Sequence, residues 1–112
     1  MGQSLARGER VVVEPAPTLA DGLKPVQIGV QNFAIAARHI AGALTVDDDE
    51  LGAAVVRLLF VAKLLVEPSG AAALAAAFRG DVPGAPKRVG VILSGGNIEP
   101  SVLSLLVARY GA

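Results

Sequence analysis

The residues best placed to do chemistry lie in three short segments. The first is Ser94-Gly95-Gly96-Asn97, which directly follows the apolar run 88–93 (RVGVIL) and precedes a helix opened by Glu99 and Pro100. In open α/β sheets ligands gather at the carboxyl ends of strands, and glycine there lets a backbone come close to a bound group. The same pattern also makes a tight connection that binds nothing. The second segment, Glu67-Pro68-Ser69-Gly70, sets a carboxylate before a helix of small side chains, which is equally the pattern of a plain helix start. The third, Asp21-Gly22, falls in an irregular stretch where an Asp can bond its own turn instead of a ligand.

Other candidates are weaker. His39 falls off the apolar stripe of its helix and has no second His or Cys nearby for a metal site. Lys24, Lys63 and Lys87 are isolated, with no local setting that would lower a lysine pKa. The run Asp47 to Glu50 lacks the alternating spacing of a calcium loop and reads as a helix start, because carboxylates suit the positive end of a helix. No metal site is expected.

The elements that must hold these residues alternate. Residues 11–13, 43–46 and 88–93 have the β-branched or apolar character of strands. Helical spacing recurs over 30–42, where Phe33, Ala36, Ala37, Ile40 and Ala41 make one stripe, and over 49–65, 71–78 and 101–109. The 49–65 helix is apolar on nearly every face, so it should be buried on both sides. Strands alternating with helices predict an α/β fold layered around a parallel sheet.

With ten basic and ten acidic side chains the net charge is zero, and no Lys/Arg cluster offers a footprint for nucleic acid or an anionic membrane surface. Without cysteine there is no disulfide framework and no thiol nucleophile. A cytoplasmic location is the default. Mean hydropathy is high, at +0.56, yet the most apolar stretch, 51–66, carries Arg57 and Lys63 and closes at Glu67-Pro68, too short and too charged for a span of roughly 20 residues. Residues 1–10 lack the apolar stretch of a signal peptide. So apolar a chain of 112 residues is expected to pack against something larger.

The segments 18–23 (TLADGL), 66–76 (VEPSGAAALAA) and 91–97 (VILSGGN) together resemble, in order and spacing, the carboxyl-terminal part of the threonine dehydratase and serine racemase group. These are pyridoxal-phosphate enzymes of the fold type shared with the tryptophan synthase β chain. The resemblance implies a three-layer α/β piece of that fold, with residues 1–112 forming the carboxyl-terminal portion of its catalytic domain. It implies that Ser94, with Gly95, meets the cofactor's pyridine nitrogen, that Glu67 is the carboxylate below the ring, and that Gly22 and Asp21 border the cofactor and substrate pocket. A hydroxyl is too weak an acid to protonate the pyridine, so such a ring is a modest electron sink. That suits elimination: loss of the α-proton, loss of water, then hydrolysis to a 2-oxo acid and ammonia.

The family's Schiff-base lysine, its substrate-carboxylate loop and its glycine-rich phosphate loop lie upstream of the matched part and have no counterpart in these 112 residues. Nor is the family's cation site transferred to Glu14, whose position just before TLADGL does not fit. The chain is thus expected to be inactive alone, to need the rest of the catalytic domain, and to act on a small amino acid within a homo-oligomer. Two rival readings remain: a non-catalytic α/β binding or remnant module, and a serine or aspartate racemase-type member.

Overall fold

Among the described residues, three of the five α-helices begin on a local signal, an acidic capping box or an early proline. In the computed structural model, which describes residues 1–111, the helices are α1 (Gly2–Arg7), α2 (Val30–His39), α3 (Asp48–Arg57), α4 (Pro68–Arg79) and α5 (Pro100–Tyr110). The chain divides into two units: Met1–Pro17 with Lys24–Thr45, and Thr18–Leu23 with everything from Val46 onward.

In the first unit α1 stops at Gly8, whose φ of 71° is the left-handed conformation glycine adopts freely. Ser4 is buried and its hydroxyl accepts a hydrogen bond from the Val11 amide at 3.0 Å. Arg10 fastens the segment before α2, donating to the Ile28 carbonyl (2.7 Å) and to Gln27 (2.9 Å). Of the stripe expected over 30–42, only Ala36 is buried and Phe33 half-buried, and the helix ends at His39. His39 itself is exposed.

In the second unit α3 opens on a full capping box. The Asp47 carboxylate accepts from the Glu50 amide and the Glu50 carboxylate from the Asp47 amide, both at 2.8 Å. The acidic run is therefore the helix start its composition predicts. Leu51, Ala54, Val55, Val56 and Leu58 are buried. The helix then widens into a π-helical turn, Leu58–Ala62, and stops at Lys63, which takes a left-handed φ of 59° and donates its ammonium to the Phe60 carbonyl at 2.8 Å. This ends the element before Leu65, the expected limit. Beyond Arg57 the exposed Phe60, Val61, Leu64 and Leu65 also depart from the expected burial on every face.

Ala71 and Ala75, one turn apart on α4, are buried in the core that includes Leu51 and Val55 of α3, because methyl side chains let helices approach closely. Pro68 sits in the first turn of α4, where its missing N–H costs nothing, and Gly80 closes it at φ 79°. Helix α5 lies on α3 across Gly52. The Tyr110 hydroxyl donates to Asp49 at 2.5 Å and Arg109 pairs with the same carboxylate at 2.7 Å. The hydrogen bond to Asp49, followed by desolvation, holds the Tyr110 hydroxyl above the usual tyrosine pKa.

The expected parallel sheet does not form among the described residues. Residues 11–13, 43–46 and 88–93 are non-helical, but none pairs with another into a ladder. A buried parallel strand needs a neighbour in register, and a single contact such as Val13 N–H to the Val26 carbonyl (2.9 Å) does not supply one.

Two outcomes follow from α5. A methyl at Gly52 would overlap the Tyr110 ring and crowd Leu106. Gly52→Ala should therefore lower stability in urea denaturation by up to about 2 kcal/mol, because overpacking costs about 1–3 kcal/mol against the roughly 1 kcal/mol that alanine gains as a helix former. Because the folded-state pKa of Tyr110 is raised, its contribution is complete below about pH 10 and is lost as pH rises through the raised value. The stability difference between the native sequence and Tyr110→Phe should be flat below that pH and close above it.

Candidate active site

The site is built where the start of α4 meets the segment 94–97. Glu67, the N-cap of α4, donates its amide to the Gly95 carbonyl at 3.2 Å. Its half-buried side chain lies against Gly95, so closely that a Cβ on that glycine would overlap the carboxylate. Gly95 has φ +74°, which an L side chain rarely adopts. One turn into α4, Gly70 faces the peptide of Ser94, and a methyl there would overlap the Ser94 carbonyl oxygen. Backbone thus packs on backbone between α4 and the segment that bears Ser94. Ser94 itself is exposed, leaving its side chain accessible to a ligand.

The TLADGL segment comes to the same place. It forms a single 3₁₀ turn over Asp21–Leu23, and the Gly22 amide donates to the Ser69 hydroxyl in the first turn of α4 at 2.8 Å. Thr18 and the Leu19 amide both donate to one oxygen of Asp48, at 2.6 and 3.0 Å. A cavity of about 180 Å³ lies within this cluster, lined by Asp21, Gly22, Glu67, Ser69 and Asn97 among others.

Three of the five candidate residues, Asp21, Gly22 and Glu67, therefore line one cavity, whereas Ser94 and Gly95 adjoin it through Glu67 without lining it. Sequence reasoning gave no role of their own to Asp48 or to Thr18 and Ser69 within their motif segments. For Asp48 the one signal was that four successive carboxylates exceed what one helix cap uses. A larger groove, about 770 Å³ and mainly apolar, lies elsewhere, between α3 and α4 and beside Tyr110. Its charged groups are engaged: Arg57 lies over the Phe78 ring and Arg79 pairs with Glu50.

Residues 1–95 match the family described as pyridoxal-phosphate dependent enzymes. The chain belongs to that family. It is 38% identical to the L-threonine ammonia-lyase of Geobacter sulfurreducens over 95% of its own length, but spans only 26% of that relative. The chain spans about a quarter of the length of the curated relatives it matches first. Among solved structures, a threonine deaminase from T.th. superposes with TM-score 0.80 at 36% identity, over 88% of this chain and 36% of that one. Maize serine racemase superposes with TM-score 0.81 at 29% identity, over 97% and 36%. The fold is that of a piece of these enzymes, whose family cofactor is pyridoxal phosphate.

The residues present fit that cofactor. An exposed hydroxyl at Ser94 would suit a ring nitrogen, the Glu67 carboxylate lies against the adjacent Gly95, and glycines at 95 and 96 add no side chain to obstruct a flat ring. Gly70→Ala should break this arrangement at its base. We expect it to lose the Glu67-to-Gly95 hydrogen bond, seen as faster amide hydrogen exchange at Glu67, with a stability cost of roughly 1–3 kcal/mol.

Proposed function

We propose that this chain is the carboxyl-terminal portion of the catalytic domain of a pyridoxal-phosphate-dependent hydroxyamino-acid ammonia-lyase. The enzyme converts a small hydroxyamino acid such as threonine, serine or 3-hydroxyaspartate into a 2-oxo acid and ammonia. The observation that carries this reading is the convergence of Glu67, Ser94-Gly95 and Asp21-Gly22 at the start of α4, fixed by the Glu67-to-Gly95 and Gly22-to-Ser69 hydrogen bonds. Relatives that carry ammonia-lyase names, including the L-threo-3-hydroxyaspartate ammonia-lyase of Saccharomyces cerevisiae at 33% identity, support it.

Bound pyridoxal phosphate supplies an electron sink that makes the α-proton of an amino acid removable. The chain's own residues set how deep that sink is. Ser94 would offer the pyridine nitrogen a neutral hydrogen-bond partner, too weak an acid to protonate it. Glu67 would lie near the ring, and its backbone tie to Gly95 holds the Ser94 segment in register. Asp21 and Gly22 line the cavity beside it. A shallow sink would suit loss of the β-hydroxyl. The lysine that bonds the cofactor comes from sequence outside these 112 residues, so the chain alone is inactive.

The same reading accounts for the unpaired segments and for the exposed apolar side chains. Residues 11–13, 43–46 and 88–93 are strands of a parallel sheet completed by the rest of the catalytic domain, whose layers also cover Phe60, Val61, Leu65 and Ile92, the last 82% exposed. The working enzyme is a cytoplasmic homo-oligomer. Among the described residues no helix is long and apolar enough to cross a membrane.

The test is expression of the full open reading frame that encodes this chain, followed by assay of 2-oxo acid from threonine, serine and 3-hydroxyaspartate. Ser94→Ala should alter the cofactor's absorbance and lower elimination about 5- to 10-fold, the size of one lost hydrogen bond. Inversion of the amino acid without 2-oxo acid would identify a racemase instead. A frame with neither a Ser-x-Lys segment nor cofactor absorbance would overturn the proposal.

A further inference from the structure

Resting on that reading, we infer that Asp48 and Ser69 are positioning residues that pin the Asp21-Gly22 turn to the pocket from two sides. Neither side chain caps its own helix. The cap of α3 is made by Asp47 and Glu50, which leaves the Asp48 carboxylate to reach across to Thr18 and Leu19, about thirty residues earlier. The N-cap of α4 is Glu67, so the Ser69 hydroxyl likewise turns outward and accepts from the Gly22 amide, 47 residues away.

The turn between these two anchors has little freedom. Thr18 donates to Asp48 and accepts from the Ala20 amide (3.2 Å), while the Leu23 amide donates to the Ala20 carbonyl (2.9 Å). A Cβ on Gly22 would come within 3.1 Å of the Ser69 hydroxyl, tighter than ordinary contact. Thr18, Leu19, Asp21, Gly22 and Ser69 all line the 180 Å³ cavity, so a shift of the turn changes the cavity's shape directly. The chain's grouping agrees: residues 18–23 belong with the unit that contains α3 and α4, although the residues on either side of them belong to the other unit. Asp48 and Ser69 add side-chain bonds to that attachment, beside the burial of Ala20 in the core.

Pinning predicts a larger effect on substrate affinity than on turnover, because the turn borders the pocket without holding the reacting atoms. In the full-length protein, Ser69→Ala should speed amide exchange at Gly22 about 5- to 10-fold, as expected when one hydrogen bond is lost. It should raise KM for the hydroxyamino acid several-fold more than it lowers kcat. Asp48→Ala should do the same at Leu19. Ser69→Thr keeps the hydroxyl and Asp48→Asn keeps an acceptor oxygen, so both should recover most of the loss. The conservative pair also separates pinning from general instability, since Asp48→Asn removes the charge but not the acceptor. Unchanged exchange at Gly22 in Ser69→Ala, or an unchanged KM in both alanine variants of an active enzyme, would overturn the inference. Faster exchange in a protein that eliminates no hydroxyamino acid would instead sink the lyase reading and leave the pinning intact.

Discussion

The contact between Gly70 and the Ser94 peptide is the constraint on which the site depends. It is a backbone-on-backbone approach that tolerates no Cβ, and it brings the first turn of α4 against the end of the 88–93 run. Everything else at the site is arranged from that contact. Glu67 is near Gly95 because the helix that Glu67 caps is pressed there. Ser69 can reach Gly22 because the same turn faces the TLADGL segment. Small side chains on α4 serve two surfaces, letting Gly70 meet Ser94 and letting Ala71 and Ala75 pack into the core with α3.

Helix α3 supplies the second support, through four successive acidic residues with different tasks. Asp47 and Glu50 satisfy each other's amides, and Glu50 also pairs with Arg79. Asp48 holds the turn that borders the cavity, and Asp49 receives Tyr110 and Arg109 from α5. Composition shows only a negative helix start, for which any of the four would serve. The separate tasks arise because successive positions on a helix face directions about 100° apart, toward different neighbours.

This is why the sequence was legible in some places and silent in others. The starts of α3, α4 and α5 are written locally, by an acidic run and by prolines 68 and 100, and Gly80 marks a stop. The three motif segments were readable because each is contiguous. The end of α3 was not, because Lys63 takes a left-handed conformation that its side-chain type does not advertise. Helix α1 carried no strong periodic signal in six residues. The apolar runs have strand character, but a sheet is a relation between segments, and that relation is missing among the described residues. The anchoring contacts of Asp48 and Ser69 could not be read for the same reason: their partners lie 30 and 47 residues away.

Those separations also bear on the order in which the molecule assembles. Helices α3 and α4 are joined by only ten residues, 58–67, and share the core, so their packing closes a short loop and can come early. The TLADGL turn is synthesised before either helix, yet it has nothing to bind until both have formed and met. The side-chain anchors of that turn, Asp48 and Ser69, thus stand in place for it only once both helices have formed.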